Sequence, residues 1–255
     1  MNEHTPFNPF SLTGRRILVS GASSGLGKAI ALSCARMGGE LIVTGRDAQR
    51  LEATLSELQA ISELPHQAVR ADLTVATERD ALVAALIAPL QGVVHSAGIS
   101  RLCPARMVSE AHLHEVQSTN VDAPVLLTQA LLKRNLIAAD GAILFIASIA
   151  AHIGVAGVGA YSASKAALIA YSRCLAMEVI KRRIRVNCLS PALVDTPLLG
   201  ATAQVVGSLE AERNNYPLGF GQPDDVANAA IFLLSGASRW ITGTSLVMDG
   251  GLTIS

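Results

Sequence analysis

The sequence lacks the features that would assign it to several large classes of protein. Its four cysteines show no C-x-x-C spacing, which argues against a metal site or a disulfide framework and favours reduced thiols in the cytoplasm. Basic and acidic residues number 20 each, so the formal net charge is +0 and no nucleic-acid or acidic-membrane partner is indicated.

A membrane-directed segment is not expected either. Residues 1–14 are polar and interrupted by proline, without the apolar core of a signal peptide. The most lipid-like window, residues 141–160, is rich in glycine and alanine and is interrupted by Ser148 and His152. A membrane-spanning helix is therefore not predicted there.

Apolar runs alternate with helix-length periodic segments along the whole chain. Hydrophobic residues make up 50% of the 255 positions, enough for a large core. Strict alternation of this kind favours parallel strands with right-handed crossovers and helices on both faces. We therefore predict one doubly wound α/β domain over residues 1–255. The strands are expected at about 15–20, 40–45, 66–72, 92–98, 142–147, 183–191 and 243–251, and the principal helices at about 25–38, 47–61, 109–136, 161–180 and 223–236.

A serine, a tyrosine and a lysine are spaced for one chemical task. Ser148 follows the apolar run 142–147, at the strand end where open α/β sheets bind ligands. Tyr161 and Lys165 are four residues apart and share a helix face. An ammonium about 4 Å from a phenol supplies about 4 kcal/mol at an effective dielectric of 20. We therefore expect the tyrosine pKa to fall by about three units, towards values that suit general acid/base work.

A glycine-rich turn follows the first strand and opens the next helix. Gly21, Gly25 and Gly27 have the spacing G-x-x-x-G-x-G. Glycines permit a tight turn and let backbone amides reach a pyrophosphate, assisted by the positive end of the helix dipole. In this context the turn predicts a dinucleotide site.

Taken together, these motifs resemble the short-chain dehydrogenase/reductase family over essentially the whole chain. The catalytic tetrad of that family matches Asn120, Ser148, Tyr161 and Lys165. Its cofactor-binding residues match the following positions: Gly21, Ser23, Ser24, Gly25, Leu26, Gly27, Asp72, Leu73, Ser96, Ala97, Gly98, Tyr161, Lys165, Pro191, Val194 and Thr196. His95-Ser96 stands where two asparagines are commonest, and Ala192 replaces the usual glycine of the P-G-x-x-x-T turn.

The resemblance implies a metal-free hydride transfer between a nicotinamide and a carbonyl or secondary alcohol. Ser148 would bind the substrate oxygen, Tyr161 would exchange a proton with it, and Lys165 would hold the nicotinamide ribose. Residues 1–13 would be an N-terminal extension and about 193–220 a substrate lid. The opening of the lid is largely apolar, which suits a neutral or acyl substrate. The family also implies a homotetramer formed through the helices at about 109–136 and 161–180.

Asn120 is expected to lie at a distortion of its helix. Pro124, four residues later, has no N–H for the Asn120 carbonyl, so the helix should open or bend there. Family members have such a distortion at this asparagine, whose carbonyl holds a water. Here the proline either reinforces that opening or produces a simple kink.

The end of the second strand predicts the choice of cofactor. An NAD-selective protein would have an acid at about Thr44 or Gly45, where it accepts hydrogen bonds from the ribose 2′-hydroxyl. Neither position is acidic, and Arg46 follows at once. A guanidinium can bind a 2′-phosphate with two hydrogen bonds, so we predict NADP rather than NAD. Two alternatives remain: Arg46 merely begins the next helix, or Asp47 turns towards the ribose.

Other features leave the substrate open. The basic clusters Lys133-Arg134 and Lys181 to Arg185 fit either solvated helix ends or docking of an acidic acyl carrier protein. His152 either faces the substrate or lies in solvent. The leading hypothesis is an NADP(H)-dependent carbonyl reductase, including a reductase of 3-oxoacyl thioesters. The alternatives are an NAD(H)-dependent alcohol, polyol or steroid dehydrogenase, and a nucleotide-binding regulator on the same fold.

Overall fold

A computed structural model describes residues 7–196 and 212–254, and within them seven parallel strands form one sheet. The strands are β1 (Arg16–Ser20), β2 (Glu40–Gly45), β3 (Gln67–Arg70), β4 (Leu90–His95), β5 (Ile137–Ile146), β6 (Arg185–Pro191) and β7 (Ser245–Met248). Their order across the sheet is β3-β2-β1-β4-β5-β6-β7. The order reverses between β1 and β4, which creates a crevice at the carboxyl ends of these two strands.

Seven α-helices of the described residues cover both faces of the sheet. They are α1 (Gly25–Arg36), α2 (Ala48–Ile61), α3 (Ala76–Ala84), α4 (Glu110–Gln117), α5 (Ala123–Lys133), α6 (Gly159–Val179) and α7 (Pro223–Leu234). Helices α1, α2 and α7 contribute to one buried apolar cluster, and α3, α5 and α6 contribute to the other. Alternate residues of β1 enter the two clusters: Ile17 and Val19 enter one, Leu18 the other. The predicted doubly wound α/β fold is confirmed.

Three elements differ from the sequence-based prediction. Helix α3 was not predicted, and β5 begins at Ile137 rather than at Ala142. The pairing register of β5 with β4 shifts between Leu90 and Gly92, and Asp140 has a left-handed φ of 60°. That irregularity interrupts the apolar pattern, so the first residues of β5 do not look like a strand. The predicted long helix at 109–136 is divided into α4 and α5 by a π-helical turn.

The described part of the predicted N-terminal extension packs onto the domain. Leu12 is fully buried, and its N–H donates to the Met37 carbonyl at 2.9 Å. The Phe10 ring lies 6.2 Å from that of Phe232 on α7. Leu12 therefore belongs to the core, whereas Phe7 is exposed and residues 1–6 lie outside the described part. Residues 197–211 of the predicted substrate lid lie outside it as well.

A buried arginine ties the start of β6 to the end of α7. The Arg185 guanidinium donates to the Ser238 hydroxyl at 2.7 Å and to the Ser235 carbonyl at 3.2 Å. Burial lowers its pKa to about 10. The carbonyl it binds belongs to the C-terminal end of a helix, where the helix dipole favours a cation.

We expect Arg185→Ala to lower the free energy of unfolding by about 1.5–3 kcal/mol, the usual contribution of hydrogen bonds to charged groups. Urea unfolding at one fixed protein concentration measures the change. Arg183→Ala is the matched control, because Arg183 is exposed and its one ion pair among the described residues is with the exposed Asp140 at 2.6 Å. Equal stability of the two variants would contradict the structural role of Arg185.

Candidate active site and cofactor cleft

A cleft of about 900 Å³ opens at the carboxyl ends of the strands. It runs from the end of β2, past the glycine turn, to the N-terminal end of α6. Every sequence-predicted cofactor residue lines it, and so do Ser148, Tyr161 and Lys165. Asn120 does not line the cleft, although its neighbour Thr119 does.

Two glycines of the turn cannot carry a side chain. A Cβ on Gly21, whose φ is +67°, would lie 2.7 Å from the backbone of Ala97, and a Cβ on Gly27 would collide with the Gly21 carbonyl. The Ser20 hydroxyl accepts hydrogen bonds from the amides of Ser96 and Ala97 at 3.2 and 3.3 Å, so the ends of β1 and β4 are tied together. This close backbone approach leaves the α1 N-terminus open to a ligand, and it fits the pyrophosphate of a dinucleotide.

Ser148, Tyr161 and Lys165 meet at the other end of the cleft. Ser148 follows β5, and its hydroxyl accepts a hydrogen bond from the Ala150 amide at 3.2 Å. Tyr161 lies in the first turn of α6, and the Lys165 ammonium lies 5.7 Å from the centre of its ring. The same ammonium donates to the Ile146 carbonyl at 2.8 Å. A serine hydroxyl, a phenol and an ammonium therefore converge on one point.

The predicted fall in the pKa of Tyr161 does not occur. Burial raises the pKa of the phenol, and a hydrogen bond from Ser148 opposes this shift without reversing it. Burial also lowers the pKa of Lys165 to about 8. The attraction between the Lys165 ammonium and a Tyr161 phenolate would lower the phenol pKa. Burial removes water from both groups, however, and this desolvation disfavours phenolate and ammonium alike.

Asn120 lies in the π-helical turn Ser118–Asp122, so the predicted opening of the helix is confirmed. Its side-chain amide exchanges two hydrogen bonds with the backbone of Ile99, at 2.8 and 2.9 Å. It also donates to the Ser164 hydroxyl at 3.0 Å. The side chain is 1% exposed, and it joins the loop after β4 to helix α6.

The β2 end of the cleft is rich in arginine. Arg46 lies 4.0 Å from the Asp72 carboxylate. Asp72 also accepts two hydrogen bonds from Thr74, which help to keep its pKa below the usual value despite partial burial. Asp47 lines the cleft, but its two carboxylate oxygens bind the backbone N–H and the Nε of Arg50, at 3.0 and 2.7 Å. The alternative in which Asp47 reaches the ribose is therefore not supported.

Two departures from the family pattern have structural explanations. His95 is buried, stacks on Phe145 at 4.7 Å and shares a 2.8 Å hydrogen bond with Thr128; burial lowers its pKa to about 3. Ala192 is not among the described non-glycine residues with positive φ, so the turn after β6 accommodates alanine without strain.

His152 does not line the cleft. It is an exposed loop residue whose Nε2 meets the Ser190 hydroxyl at 2.9 Å, which agrees with the alternative in which it lies in solvent.

The sequence identified only part of the wall of the cleft near Tyr161. Apolar side chains dominate it, accompanied by Glu212 and by Tyr216, whose hydroxyl contacts the Leu193 backbone. Leu193, Glu212 and Tyr216 belong to the predicted lid, whereas the other side chains come from the loops after β4, β5 and β7 and share no motif. The apolar members are Ile99, Leu102, Ile153, Val155, Val158, Leu193 and Leu252.

The basic clusters lie at the opposite edge of the sheet. Helix α6 has 21 residues and is about 30 Å long at 1.5 Å per residue, with Tyr161 at one end and Lys181 beyond the other. Arg182 donates to the Ile137 carbonyl, and Arg183 pairs with Asp140. These contacts favour solvated helix ends over a docking surface that serves this chain's own cleft. No helix of the described residues is long and apolar enough to cross a membrane.

Comparison with known proteins identifies relatives along the whole chain. The model of a family described as enoyl-(acyl carrier protein) reductase matches residues 21–253. D-threitol dehydrogenase of Mycolicibacterium smegmatis is 37% identical over 96% of this chain and 95% of its own length. The 3-oxoacyl-[acyl-carrier-protein] reductase of Chlamydia pneumoniae is 34% identical over 95% of this chain and 98% of its own.

A solved structure is also similar to this chain along its whole length. A Beutenbergia cavernae protein, described provisionally as an NAD(P)-dependent gluconate 5-dehydrogenase and solved with NADP at low occupancy, superimposes with a TM-score of 0.88. It is 33% identical and covers 97% of this chain and 100% of its own. The chain belongs to the short-chain dehydrogenase/reductase family and is a nicotinamide-dependent oxidoreductase acting on carbonyl and alcohol groups.

Proposed function

We propose that the protein is an NADP(H)-dependent carbonyl reductase whose catalytic residues are Ser148, Tyr161 and Lys165. The convergence of these three side chains at one end of the cleft carries the proposal. The Ser148 hydroxyl binds the substrate oxygen, and the Tyr161 phenol donates its proton to that oxygen. Lys165 holds the nicotinamide ribose. When bound, the cofactor supplies the hydride.

The electrostatics of Tyr161 suit reduction. Burial raises the pKa of the phenol, so it stays protonated at neutral pH and is ready to donate. Oxidation of an alcohol needs the opposite protonation state as its starting point. Asn120 positions the loop after β4 and helix α6 through its hydrogen bonds to Ile99 and Ser164.

The remaining predicted residues would hold the cofactor. The glycine turn with Ser23, Ser24 and Leu26 would bind the pyrophosphate, and Asp72 and Leu73 the adenine. Ser96, Ala97 and Gly98, together with Pro191, Val194 and Thr196, would surround the nicotinamide half. The absence of a carboxylate at Thr44 and Gly45, with Arg46 beside the cleft, supports NADP over NAD.

The apolar wall near Tyr161 supports a neutral substrate with apolar substituents, and 3-oxoacyl thioesters belong to this class. Among the described residues that line this end, Glu212 carries the ionisable carboxylate, which repels anionic substrates. A polyol substrate is the second candidate, favoured by the 37% identity to D-threitol dehydrogenase.

Free cysteines and exposed apolar side chains support a cytoplasmic location and a homotetramer. All four cysteines are free thiols, which suits the reducing cytoplasm. Helices α4 to α6 expose Leu113, Leu126 and Met177, and the edge strand β7 exposes Leu246 and Val247. Two separate apolar surfaces support two kinds of contact between copies, as a homotetramer requires.

We expect Tyr161→Phe to lower kcat by at least about 10², the lower range of general-acid contributions, while the affinity for NADP changes only a few-fold. Turnover of matched panels of apolar ketones, 3-oxoacyl thioesters and tetritols, with both cofactors, measures the change and the substrate class. Wild-type turnover by the variant would exclude Tyr161 as the proton donor.

The pH profile of the wild type supplies a second measurement. Loss of the Lys165 proton near its pKa of about 8 should lower the rate of carbonyl reduction as the pH rises through that value.

We expect the wild type to prefer NADPH over NADH by about tenfold to a hundredfold in kcat/KM, since charged hydrogen bonds contribute about 1.5–3 kcal/mol. Arg46→Ala should remove most of that preference, because it deletes the guanidinium and leaves the glycine turn intact. Steady-state kinetics with both cofactors measure the ratio. A wild type that prefers NADH, or a variant that keeps the NADPH preference, would exclude Arg46 as the selector.

Light scattering at micromolar concentration should give four times the chain mass of 26.5 kDa. Met177→Asp should lower that mass, because the Met177 side chain is 74% exposed on α6 and a charge there would be buried between copies. The exposed Arg36→Ala serves as the control, since it leaves the apolar surfaces unchanged. A monomeric wild type would contradict the assembly.

A further inference from the structure

A second arginine lines the cleft beside Arg46. Arg50 belongs to the first turn of α2 and, like Arg46, contributes to the wall at the β2 end. The two side chains are 61% and 63% exposed, so both guanidinium groups are accessible from the cleft. The catalytic residues lie at the other end, and the proposed reaction assigns no role to Arg50.

Asp47 holds the Arg50 side chain by one edge. The Asp47 carboxylate accepts from the Arg50 backbone N–H and from its Nε, at 3.0 and 2.7 Å. This pair lowers the pKa of Asp47 and keeps the carboxyl ionised. Within residues 7–196 and 212–254, the terminal nitrogens of Arg50 make no hydrogen bond. They therefore remain free donors, while the Nε atom is held by Asp47.

The backbone of Arg46 is fixed by a neighbouring side chain. Its backbone carbonyl accepts a hydrogen bond from the Arg70 Nε at 3.1 Å. Its own guanidinium approaches a protein carboxylate only at 4.0 Å, that of Asp72. Two arginines with free donors therefore line the same end of the cleft, and a third orients the backbone of the first.

Asp47 offsets the charge of Arg50 along one edge only and leaves its terminal nitrogens open to a further anion. Arg50 is a cation in the first turn of a helix, where the dipole favours negative charge, and Asp47 at the N-cap precedes that turn, which itself contains no acidic residue. A dianionic phosphate at this wall would add negative charge at the helix N-terminus and would accept charge-assisted hydrogen bonds from each guanidinium.

We propose that Arg50 is a second specificity-determining residue that binds, together with Arg46, the 2′-phosphate of NADP. The inference rests on the proposed preference for NADP and extends it from one arginine to two. It also explains the position of Asp47, whose carboxylate is occupied by Arg50 and is not available to the ribose hydroxyl. Selection against NAD then comes from two donors and not from one.

Binding of two small probes tests the proposal without turnover. Calorimetry compares 2′,5′-ADP, which carries the 2′-phosphate, with 5′-AMP, which lacks it. We expect Arg50→Gln to weaken 2′,5′-ADP binding by about tenfold, the lower range for a charged hydrogen bond, and 5′-AMP binding by much less. Arg46→Gln should act in the same sense, and the double variant should bind both probes with similar affinity.

Arg36→Gln is the matched control, since Arg36 is exposed at the far end of α1 and does not line the cleft. If Arg50→Gln keeps the wild-type ratio while Arg46→Gln loses it, Arg46 acts alone and the proposal is wrong. If Arg50→Gln weakens both probes equally, Arg50 contacts a part common to both and is not a selector. A wild type that binds both probes equally would instead contradict the proposed NADP preference itself.

Discussion

The structure depends on burying one ammonium group at the carboxyl edge of the sheet. The Lys165 side chain is 5% exposed and has no carboxylate partner in the described part of the chain. Its hydrogen bond to the Ile146 carbonyl fixes α6 against the end of β5. A Cβ on Gly98 would lie 3.2 Å from the ammonium and equally close to the Asn120 amide. Glycine at this position therefore makes room for the cation, and the π-helical turn brings Asn120 to the same place.

The two ends of the cleft have different electrostatic environments. Near Tyr161, burial disfavours the phenolate of Tyr161 and the ammonium of Lys165, which keeps the phenol protonated and lowers the pKa of Lys165. At the β2 end, the arginines are exposed and retain free donors, so that region is ready for an anion. The close contact of Gly21 with Ala97 lies between these ends. A cofactor with a phosphate-rich half and a nicotinamide half matches this polarity.

The sequence predicted what local pattern and spacing determine. The alternation of apolar runs predicted the doubly wound sheet, and Tyr161 and Lys165 share a face because helical periodicity requires it. Pro124 correctly indicated a distorted helix at Asn120. The pKa of Tyr161 was predicted in the wrong direction, because a distance between charges contains no information about burial. The partner of Asp47 was also unpredictable, since the same carboxylate can cap a helix, pair with Arg50 or face a ribose.

The least predictable part of the site is the part that selects the substrate. The proposed catalytic residues come from the end of β5 and from α6, which are joined by the hydrogen bond from Lys165 to the Ile146 carbonyl. The apolar wall comes from loops after β4, β5, β6 and β7 and from the segment near Tyr216, each of which has its own length. The Cys103 amide donates to the Gly157 carbonyl at 2.7 Å, so the first two of these loops support each other. A change in either loop would move the apolar wall without moving Tyr161. We therefore propose that the wall, and not the set Ser148, Tyr161 and Lys165, distinguishes relatives named for D-threitol and for 3-oxoacyl-[acyl-carrier-protein].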